Sequence, residues 1–263
     1  MPVSPAMRFA LAILVAASSA LAFAQAQNPP AAYEPSVGQE GKDVVWVPTP
    51  QALVDKMLDM AKVTPADFVM DLGSGDGRTV ITAAKRGVRA HGVEYNPDMV
   101  ALSKRNAEKE GVAARATFVK ADLFKTDFSK ASVITMFLLP DINLKLRPKI
   151  LRLKPGTRVV SNSFTMGDWK ADENFTLDSA ACGSSSWCTA HLWIVPARAA
   201  GSYKLPQGDL VLKQSFQKLS GTLRADGKTY ALRGKVIGED VTFKAGGKEY
   251  RGKLKGKELV LDS

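Results

Sequence analysis

Cysteine and histidine are scarce in this chain, which has two of each among its 263 residues. Cys182, Cys188 and the nearby His191 make an incomplete set of metal ligands, so no metal site is expected. No serine or cysteine motif accompanies His191, and a hydrolase therefore has little support. The chain is nevertheless not disordered by composition, because 45% of its residues are hydrophobic and 24% are charged. It is long enough to bury one large core, or one core and a small satellite.

The two cysteines flank a turn-rich segment, Gly183-Ser184-Ser185-Ser186-Trp187, that lies between two runs typical of β-strands. In an oxidising compartment, a disulfide between Cys182 and Cys188 would join the two arms of a hairpin. The spacing is not that of a C-x-x-C redox pair. The sequence therefore favours a structural disulfide at this place.

The N-terminus has the pattern of a signal peptide. Arg8 precedes an apolar run over residues 9–17, and Ala22-Phe23-Ala24 offers a cleavage site. Residues 1–24 are predicted to direct the chain to a secreted or periplasmic location. The apolar run is short and alanine-rich for a membrane span, so an uncleaved membrane anchor is the less favoured alternative. Residues 25–45 are rich in Ala, Pro and Gln, and they are predicted to form an extended lead-in rather than an element.

One short stretch carries the clearest functional signal. An apolar run ends in Asp71, and glycines follow at every second position, Gly73, Gly75 and Gly77. This pattern predicts a strand, a tight loop and the start of a helix. Glycine lets the backbone adopt positive φ and approach a ligand without a Cβ, and a helix start presents free N–H groups to an anion. A dinucleotide-binding loop has the spacing G-x-G-x-x-G, whereas D-x-G-x-G-x-G indicates another nucleoside ligand.

Two further strands end in acidic residues. Residues 89–94 form a predicted strand that finishes at Glu94, whose carboxylate can accept hydrogen bonds from both hydroxyls of a ribose. A third predicted strand, residues 116–120, is followed by Ala121-Asp122-Leu123. Three acids thus stand at three successive strand ends, which makes a plain glycine turn an inadequate explanation of the loop.

These motifs resemble motif I and the following landmarks of class I S-adenosylmethionine-dependent methyltransferases. Within that class, residues 44–170 resemble a bacterial branch related to the lysine methyltransferases of mitochondrial inner-membrane proteins. The likeness rests on residues 46–50, on the loop over 71–78, and on the strand 159–161 with Met166-Gly167-Asp168-Trp169 behind it. The family usually has Tyr at the position of Trp46.

The resemblance implies that the cofactor is S-adenosyl-L-methionine. Asp71 would orient the loop or the donor's ammonium group, and Glu94 would hold the ribose. Asp122 and Leu123 would meet the adenine. Tyr95 has two equal interpretations, cover of the adenine or packing between helix and sheet. The complete set of predicted cofactor-binding residues is Thr49, Asp71, Gly73, Ser74, Gly75, Gly77, Glu94, Tyr95, Asp122 and Leu123.

The acceptor side is predicted beyond a fourth strand, residues 132–138, because reactive groups in an open α/β sheet lie past the carboxyl ends of the strands. The candidates there are Leu139, Pro140 and Asp141, with Trp46 as a wall of the entrance or an ordinary packing residue. Several amino-methylating relatives have a polar-Pro-Pro-aromatic motif at this turn. The sequence Leu-Leu-Pro-Asp argues against the branches that methylate adenine or glutamine nitrogen, and it leaves the acceptor open.

Capping residues predict where two helices begin. Thr49 is predicted to cap a first helix, with Pro50 at its first position. Asp141 is predicted to cap a helix over residues 141–153, a role that competes with a place in the acceptor site. No catalytic residue can be assigned from the sequence.

Alternating strands and helices predict an α/β fold, with a mostly parallel, seven-stranded Rossmann-like methyltransferase sheet over residues 46–198. A hairpin over residues 174–177 and 189–195 would complete this sheet with an antiparallel pair.

The pattern changes at Ala199 to short alternating strands, which are separated by turn dipeptides such as Asp226-Gly227. Residues 199–263 are therefore predicted to form a small, all-β meander domain. Residues 201–263 hold 13 Lys and Arg against 7 Asp and Glu, a net charge of +6 out of the chain's +10. A solvated basic surface is the simpler interpretation, and attraction to an anionic envelope surface or an acidic partner is the alternative. No specific nucleic-acid signal is present.

The implied reaction is an in-line transfer of a methyl group from a sulfonium to a nucleophile, in which catalysis is largely positioning. The acceptor is a protein or a small molecule. If it is a protein lysine, its ammonium group must first lose a proton, and water can suffice as the base. Because the leader predicts export whereas the donor is made in the cytosol, a secreted, non-catalytic binding protein on a methyltransferase scaffold is the alternative. A nicotinamide-dependent reductase is disfavoured by the glycine spacing.

Overall fold

The computed structural model of the chain describes residues 33–183 and 185–262. Residues 33–263 form one compact unit. The predicted signal peptide, residues 1–24, and the first part of the predicted lead-in lie outside the described residues, so both stay predictions. In the part of the chain that is described, no helix is both long and apolar enough to cross a membrane.

Seven strands form the first sheet, in the order β3-β2-β1-β4-β5-β7-β6. Strands β1 to β5 run parallel, and β7 runs antiparallel to both β5 and β6. The predicted seven-stranded sheet with a final antiparallel pair is therefore confirmed. The strands are β1 Phe68–Leu72, β2 Arg89–Glu94, β3 Ala116–Lys120, β4 Val133–Met136, β5 Arg158–Asn162, β6 Glu173–Thr176 and β7 Thr189–Ile194.

Helices cover both faces of this sheet. Successive strand residues alternate between two cores, so that Val69 packs with the helices of one face and Met70 with those of the other. Strands buried on both faces have near-continuous apolar sequences, which explains the pattern that predicted them. The helices are α1 Gln51–Met60, α2 Arg78–Lys85, α3 Pro97–Lys109, α4 Pro140–Ile150 and α5 Ser179–Cys182. The first three pack in one core and α4 in the other.

Two predicted helix caps are wrong. Pro50, not Thr49, occupies the N-cap position of α1, and the Thr49 hydroxyl instead accepts a hydrogen bond from Asn162 Nδ2 at 3.2 Å. Helix α4 begins at Pro140 with Leu139 as its N-cap, so Asp141 lies in the first turn. Pro140 suits the first helical position because it has no N–H to leave unpaired. Asp141 still stabilises this end of the helix through its charge.

A second sheet follows, in which each strand pairs antiparallel with the next along the chain. Its first and last strands approach one another, so the meander nearly closes into a barrel. The short alternating strands predicted after Ala199 are therefore confirmed. The strands are β8 Gly201–Leu205, β9 Gly208–Ser215, β10 Lys218–Ala225, β11 Lys228–Ile237, β12 Asp240–Ala245, β13 Lys248–Lys255 and β14 Glu258–Leu261.

Basic side chains face one another on the outer side of the meander. Lys218 of β10 lies opposite Lys235 of β11, and Arg233 of β11 lies opposite Lys244 of β12. All four of these side chains are exposed. Directly opposed like charges destabilise a sheet, so this arrangement is costly at low salt.

The meander packs against the first sheet through a small set of aromatic and amide contacts. The rings of Trp169 and Phe216 stack with their centroids 6.0 Å apart. Gln217 Nε2 donates to the carbonyl oxygen of Lys170 at 2.7 Å. On the side of the first sheet, Trp193 Nε1 donates to the carbonyl oxygen of Trp169 at 2.9 Å. Trp169 and Trp193 are both fully buried.

The two buried tryptophans differ in one hydrogen bond, which gives a matched test. The Trp169 indole N–H has no partner among the described residues, whereas the Trp193 indole N–H has one. Both Trp→Phe changes remove similar ring volume, but only Trp193→Phe removes a hydrogen bond, worth about 1 kcal/mol. We expect Trp193→Phe to lower the free energy of unfolding in urea by about 1 kcal/mol more than Trp169→Phe does. Equal losses would contradict this role of the Trp193 N–H.

Candidate functional site

A cavity of about 520 Å³ lies at the carboxyl ends of the parallel strands. Its volume is in the range of sites for small molecules and cofactors, about 300–1,000 Å³. The strand order places Asp122 after β3, Glu94 at the end of β2, the glycine loop after β1, Leu139 after β4 and Phe164 after β5. The predicted adenine, ribose and acceptor groups therefore follow one another along a single edge of the sheet.

Glu94 accepts three hydrogen bonds from backbone N–H groups that border the cavity. Its Oε1 accepts from the backbone N–H groups of Tyr95 and Asn96, at 2.8 and 2.9 Å. Its Oε2 accepts from the N–H of Gly75 at 3.0 Å. An ionised carboxylate offers about four lone-pair positions. Three backbone N–H groups therefore orient this carboxylate, and it keeps acceptor capacity for a ribose hydroxyl, so its predicted role in holding the ribose stays a prediction.

Two of the three predicted glycines shape the wall of the cavity. Gly73 and Gly75 line it with φ of 81° and 52°. A Cβ on Gly75 would lie 2.8 Å from Trp46 Nε1, and one on Gly73 would lie 3.0 Å from Leu138 Cδ2. These positions therefore exclude larger residues through both backbone conformation and space.

Gly77 does not line the cavity. A Cβ at this position would lie 2.8 Å from the Phe118 ring and 2.9 Å from Ser103 Cβ. Gly77 is the N-cap of α2 with φ of 83°, so its function is to let the helix start pack closely on the sheet. The prediction that its backbone approaches the donor has no support in this placement.

Ser74 and the acids of the wall show which ligand chemistry the cavity fits. Its side chain is 5% exposed and lines the cavity, and its Oγ has no hydrogen-bond partner among the described residues. Gly92 makes the space for it, since a Cβ there would lie 2.5 Å from that oxygen. Its oxygen therefore packs against strand β2. The wall of the cavity also carries six carboxylates, and these fit a donor with hydroxyl and ammonium groups: Glu40, Asp43, Asp71, Asp76, Glu94 and Asp122.

Asp71 is a buried acid, 6% exposed, whose Oδ1 accepts the Thr135 hydroxyl at 2.7 Å. Burial raises the pKa of Asp71 to about 7, and the charges of Glu94 and Asp76 add to the rise while the Thr135 hydrogen bond opposes it. A cation in the cavity would favour the ionised form of Asp71. This is the chemistry expected of a partner for the donor's ammonium group.

The adenine end contains a contact that the sequence did not indicate. Lys42 Nζ lies 3.0 Å from Asp122 Oδ2 and 4.5 Å from the centre of the Tyr95 ring. Hydrogen bonding to Lys42 lowers the pKa of Asp122 and raises that of Lys42. Tyr95 is 47% exposed and lines the cavity, so the structure does not support the alternative in which it packs between helix and sheet. Leu123 and Thr49 line the cavity as predicted.

The predicted lead-in contributes a wall of the cavity. Glu40 and Val45 form a β-bridge, and the Trp46 N–H donates to the carbonyl oxygen of Gln39 at 2.9 Å. Residues 39–45 line the cavity from this turn. The described part of the lead-in is therefore ordered structure, contrary to the prediction of an extended segment. Gly38 and Gly41 were the sequence signal for the turn.

The acceptor end is uncharged and aromatic. Trp46 and Leu139 line the cavity as predicted, whereas Pro140 and Asp141 do not. Three aromatic residues that were not predicted also line it, and we call them the aromatic triad: Phe137, Phe164 and Trp187. Their ring centroids are 5.2 to 6.2 Å apart.

The cysteine loop holds one member of the aromatic triad. Cys182 and Cys188 form a disulfide with their Cα atoms 5.8 Å apart. The bond joins the end of α5 to the start of β7, and Trp187 lies within the closed loop. Among residues 33–183 and 185–262, no group of three or more His, Cys, Asp or Glu side chains is arranged to hold a metal ion.

The raised pKa of Asp71 predicts a pH-dependent stability. In the unfolded chain this carboxyl titrates near its ordinary pKa of 3.8, and in the folded protein near 7. Between these values the folded state binds more protons, so the free energy of unfolding falls as pH rises from about 4 to about 7. The total is at most about 4 kcal/mol, at about 1.4 kcal/mol per pKa unit.

Asp71→Asn cannot titrate and keeps an oxygen for the Thr135 hydroxyl. The free energy of unfolding of each protein is measured in urea without ligand. We expect the value for Asp71→Asn minus the value for the native chain to rise steadily from pH 4 to pH 7 and to stay constant above pH 7. Asp226→Asn, in a turn of the meander, is the matched control and should run parallel to the native chain. A constant difference between Asp71→Asn and the native chain would contradict the assignment.

Comparison with known proteins adds to this geometry. A family model described as the ANTKMT methyltransferase domain matches residues 71–173. A protein-lysine N-methyltransferase of Saccharolobus islandicus (strain REY15A) is 49% identical over 133 residues, which are 49% of this chain and 83% of that enzyme. The adenine nucleotide translocase lysine N-methyltransferase of Mus musculus is 35% identical over 119 residues, which are 44% of this chain and 52% of that enzyme. The chain thus spans about half the length of the mouse relative.

Among solved structures, an RNA methyltransferase from Salinibacter ruber in complex with S-adenosyl-L-homocysteine is similar with a TM-score of 0.54 and 44% identity. The match covers 58% of this chain and 95% of that one. S-adenosyl-L-homocysteine is the donor without its transferable methyl group. These relatives agree with the motifs, the sheet and the acidic cavity described above. The chain therefore belongs to the class I S-adenosylmethionine-dependent methyltransferases, in the family that includes these protein-lysine N-methyltransferases, and it is an enzyme.

Proposed function

We propose that this enzyme methylates the side-chain nitrogen of lysine in a protein. The observation that carries the proposal is the division of the cavity, which has carboxylates at the donor end and only apolar and aromatic side chains at the acceptor end. The names of the archaeal and mouse relatives, both lysine N-methyltransferases, support it. Neither the cavity nor the relatives favour the non-catalytic binding protein that the sequence left as an alternative.

The donor's parts match the residues of the cavity in order. Asp122 and Leu123 suit the adenine, the free lone pair of Glu94 suits a ribose hydroxyl, and Asp71 suits the α-ammonium group. When bound, S-adenosylmethionine supplies a methyl group that is made electrophilic by the positive sulfur.

The transfer itself requires a neutral amine in line with the carbon–sulfur bond. The carbon–sulfur bond breaks as the carbon–nitrogen bond forms, and the positive charge passes from sulfur to nitrogen. The lysine proton must leave before the attack. Trp46, Leu139 and the aromatic triad are not ionisable, so the proton passes to water.

A glycine substitution tests the donor site. Gly75→Val would place branched carbons against Trp46 at a φ that suits glycine. We expect calorimetric titration with S-adenosylhomocysteine to show at least a tenfold loss of affinity in Gly75→Val. Gly87→Ala is the matched control, because Gly87 also has positive φ but an added Cβ would meet only Pro65 at 3.7 Å, and its affinity should be unchanged. A Gly75→Val protein that binds as tightly as the native chain would refute this donor site.

A second experiment tests the acceptor. The full chain is incubated with tritiated S-adenosylmethionine and a library of synthetic peptides with a central lysine, beside matched peptides with acetyl-lysine and a sample of total bacterial RNA. We expect label in lysine peptides alone, with mass increments of a methyl group. Labelled RNA without labelled peptide, from a protein that binds the donor, would overturn lysine as the acceptor.

A further inference from the structure

The aromatic triad is built from three separate parts of the chain. Phe137 follows β4, Phe164 follows β5, and Trp187 comes from the disulfide loop before β7. The rings of Phe137 and Phe164 are stacked with centroids 6.0 Å apart, and Trp187 is tilted against both at 6.2 and 5.2 Å. Three loops thus bring aromatic faces together at the acceptor end of the cavity.

An unfavourable backbone conformation at Ser163 sets the direction of the chain at Phe164. The preceding Ser163 has a φ of 58°, an unfavourable value for a residue with a side chain. The neighbouring strand β7 stabilises this conformation. The backbone N–H of Ser163 donates to the carbonyl oxygen of Thr189 at 2.6 Å, and the carbonyl oxygen of Ser163 lies 3.2 Å from His191 Nε2. Strained residues of this kind cluster at functional sites, where the surrounding structure maintains them. Here the strain directs the chain so that the Phe164 ring faces the cavity.

Trp187 is held by different means and is not a core residue. It is 38% exposed, in contrast to the fully buried Trp169 and Trp193. The Cys182–Cys188 disulfide closes the loop that contains Trp187, and the backbone N–H of Trp187 donates to Ser185 Oγ at 3.1 Å. A large exposed aromatic side chain that is fixed by a covalent bond and lines a cavity is suited to contact with a ligand.

The side chains at the acceptor end of the cavity favour one class of ligand. The triad and its neighbours Trp46, Leu138 and Leu139 offer no carboxylate to pair with a charge. Aromatic faces attract alkylammonium cations through their negative π surface, most strongly for tryptophan. A nucleobase, in contrast, would need polar groups to pair with its edge.

We propose that the aromatic triad binds the alkylammonium group of the acceptor, and that Trp187, positioned by the Cys182–Cys188 disulfide, determines the specificity for this group. The inference deepens the proposed lysine methylation and rests on it. Trp187 lies outside residues 71–173, which the family model matches, so the determinant belongs to this chain's own hairpin. The triad binds a methylated ammonium more tightly than an unmethylated one, because methyl groups lower its hydration and add contact with the rings.

The test uses the full chain saturated with S-adenosylhomocysteine, and n-butyltrimethylammonium as a probe of the lysine side chain. Binding of the probe is followed by calorimetry or by saturation-transfer NMR. We expect weak but saturable binding, tighter than that of n-butylammonium. Trp187→Ala should weaken it about fivefold or more, and Trp187→Phe, which keeps an aromatic face, should weaken it by less than about threefold.

Two further variants separate the disulfide from general damage. Cys182→Ser combined with Cys188→Ser should weaken probe binding as Trp187→Ala does, while the affinity for S-adenosylhomocysteine stays within about twofold of native. Tyr230→Ala, an aromatic deletion in the distant meander, should change neither affinity. Unchanged affinity for S-adenosylhomocysteine also shows that each variant is folded.

Two results would overturn the inference: no probe binding by the native complex, or equal probe binding by the native chain and Trp187→Ala. Failure of the folded native chain to bind S-adenosylhomocysteine would instead contradict the donor assignment. The two failures are therefore distinguishable in one set of titrations.

Discussion

The carboxylate of Glu94 joins the two loops that form the donor side of the cavity. It accepts hydrogen bonds from the backbone of the glycine loop after β1 and from the two residues that follow β2. Charge-assisted hydrogen bonds of this kind are about twice as strong as neutral ones. Together with the hydrogen bonds from the Gly73 and Ser74 N–H groups to the Val93 carbonyl oxygen, this carboxylate fixes the distance between the loops. Gly75 can lie beside Trp46 in this loop because it has no Cβ.

The topology of the sheet arranges the remaining chemistry. The order β3-β2-β1-β4-β5 places acidic residues on one side of the glycine loop and apolar residues on the other. Such a gradient matches a reaction in which a charged, polar donor meets an alkylamine that must be neutral to react. The protein contributes position, desolvation and fixed charge rather than a reactive side chain.

Much of this arrangement could be predicted from the sequence, because strand ends are local features. The bounds of β2 and β3 are those predicted, and Asp71, Glu94 and Asp122 meet at one edge as expected. The caps were wrong by one residue or two, since Pro50 and Pro140 occupy different positions relative to their helices. Lys42 and the aromatic triad could not be predicted, because they reach the cavity through contacts between segments that are distant along the chain.

The opposed cations of the C-terminal sheet make the repulsion on its outer surface sensitive to ionic strength. Lys218 faces Lys235, and Arg233 faces Lys244, on the outer surface of the meander. Dissolved salt screens this repulsion, since the Debye length falls from about 30 Å at 0.01 M to about 3 Å at 1 M. The same ions weaken the attraction between Lys42 and Asp122 at the mouth of the cavity. In concentrated salt the repulsion between these opposed cations weakens, and the turn over the adenine end is held less firmly.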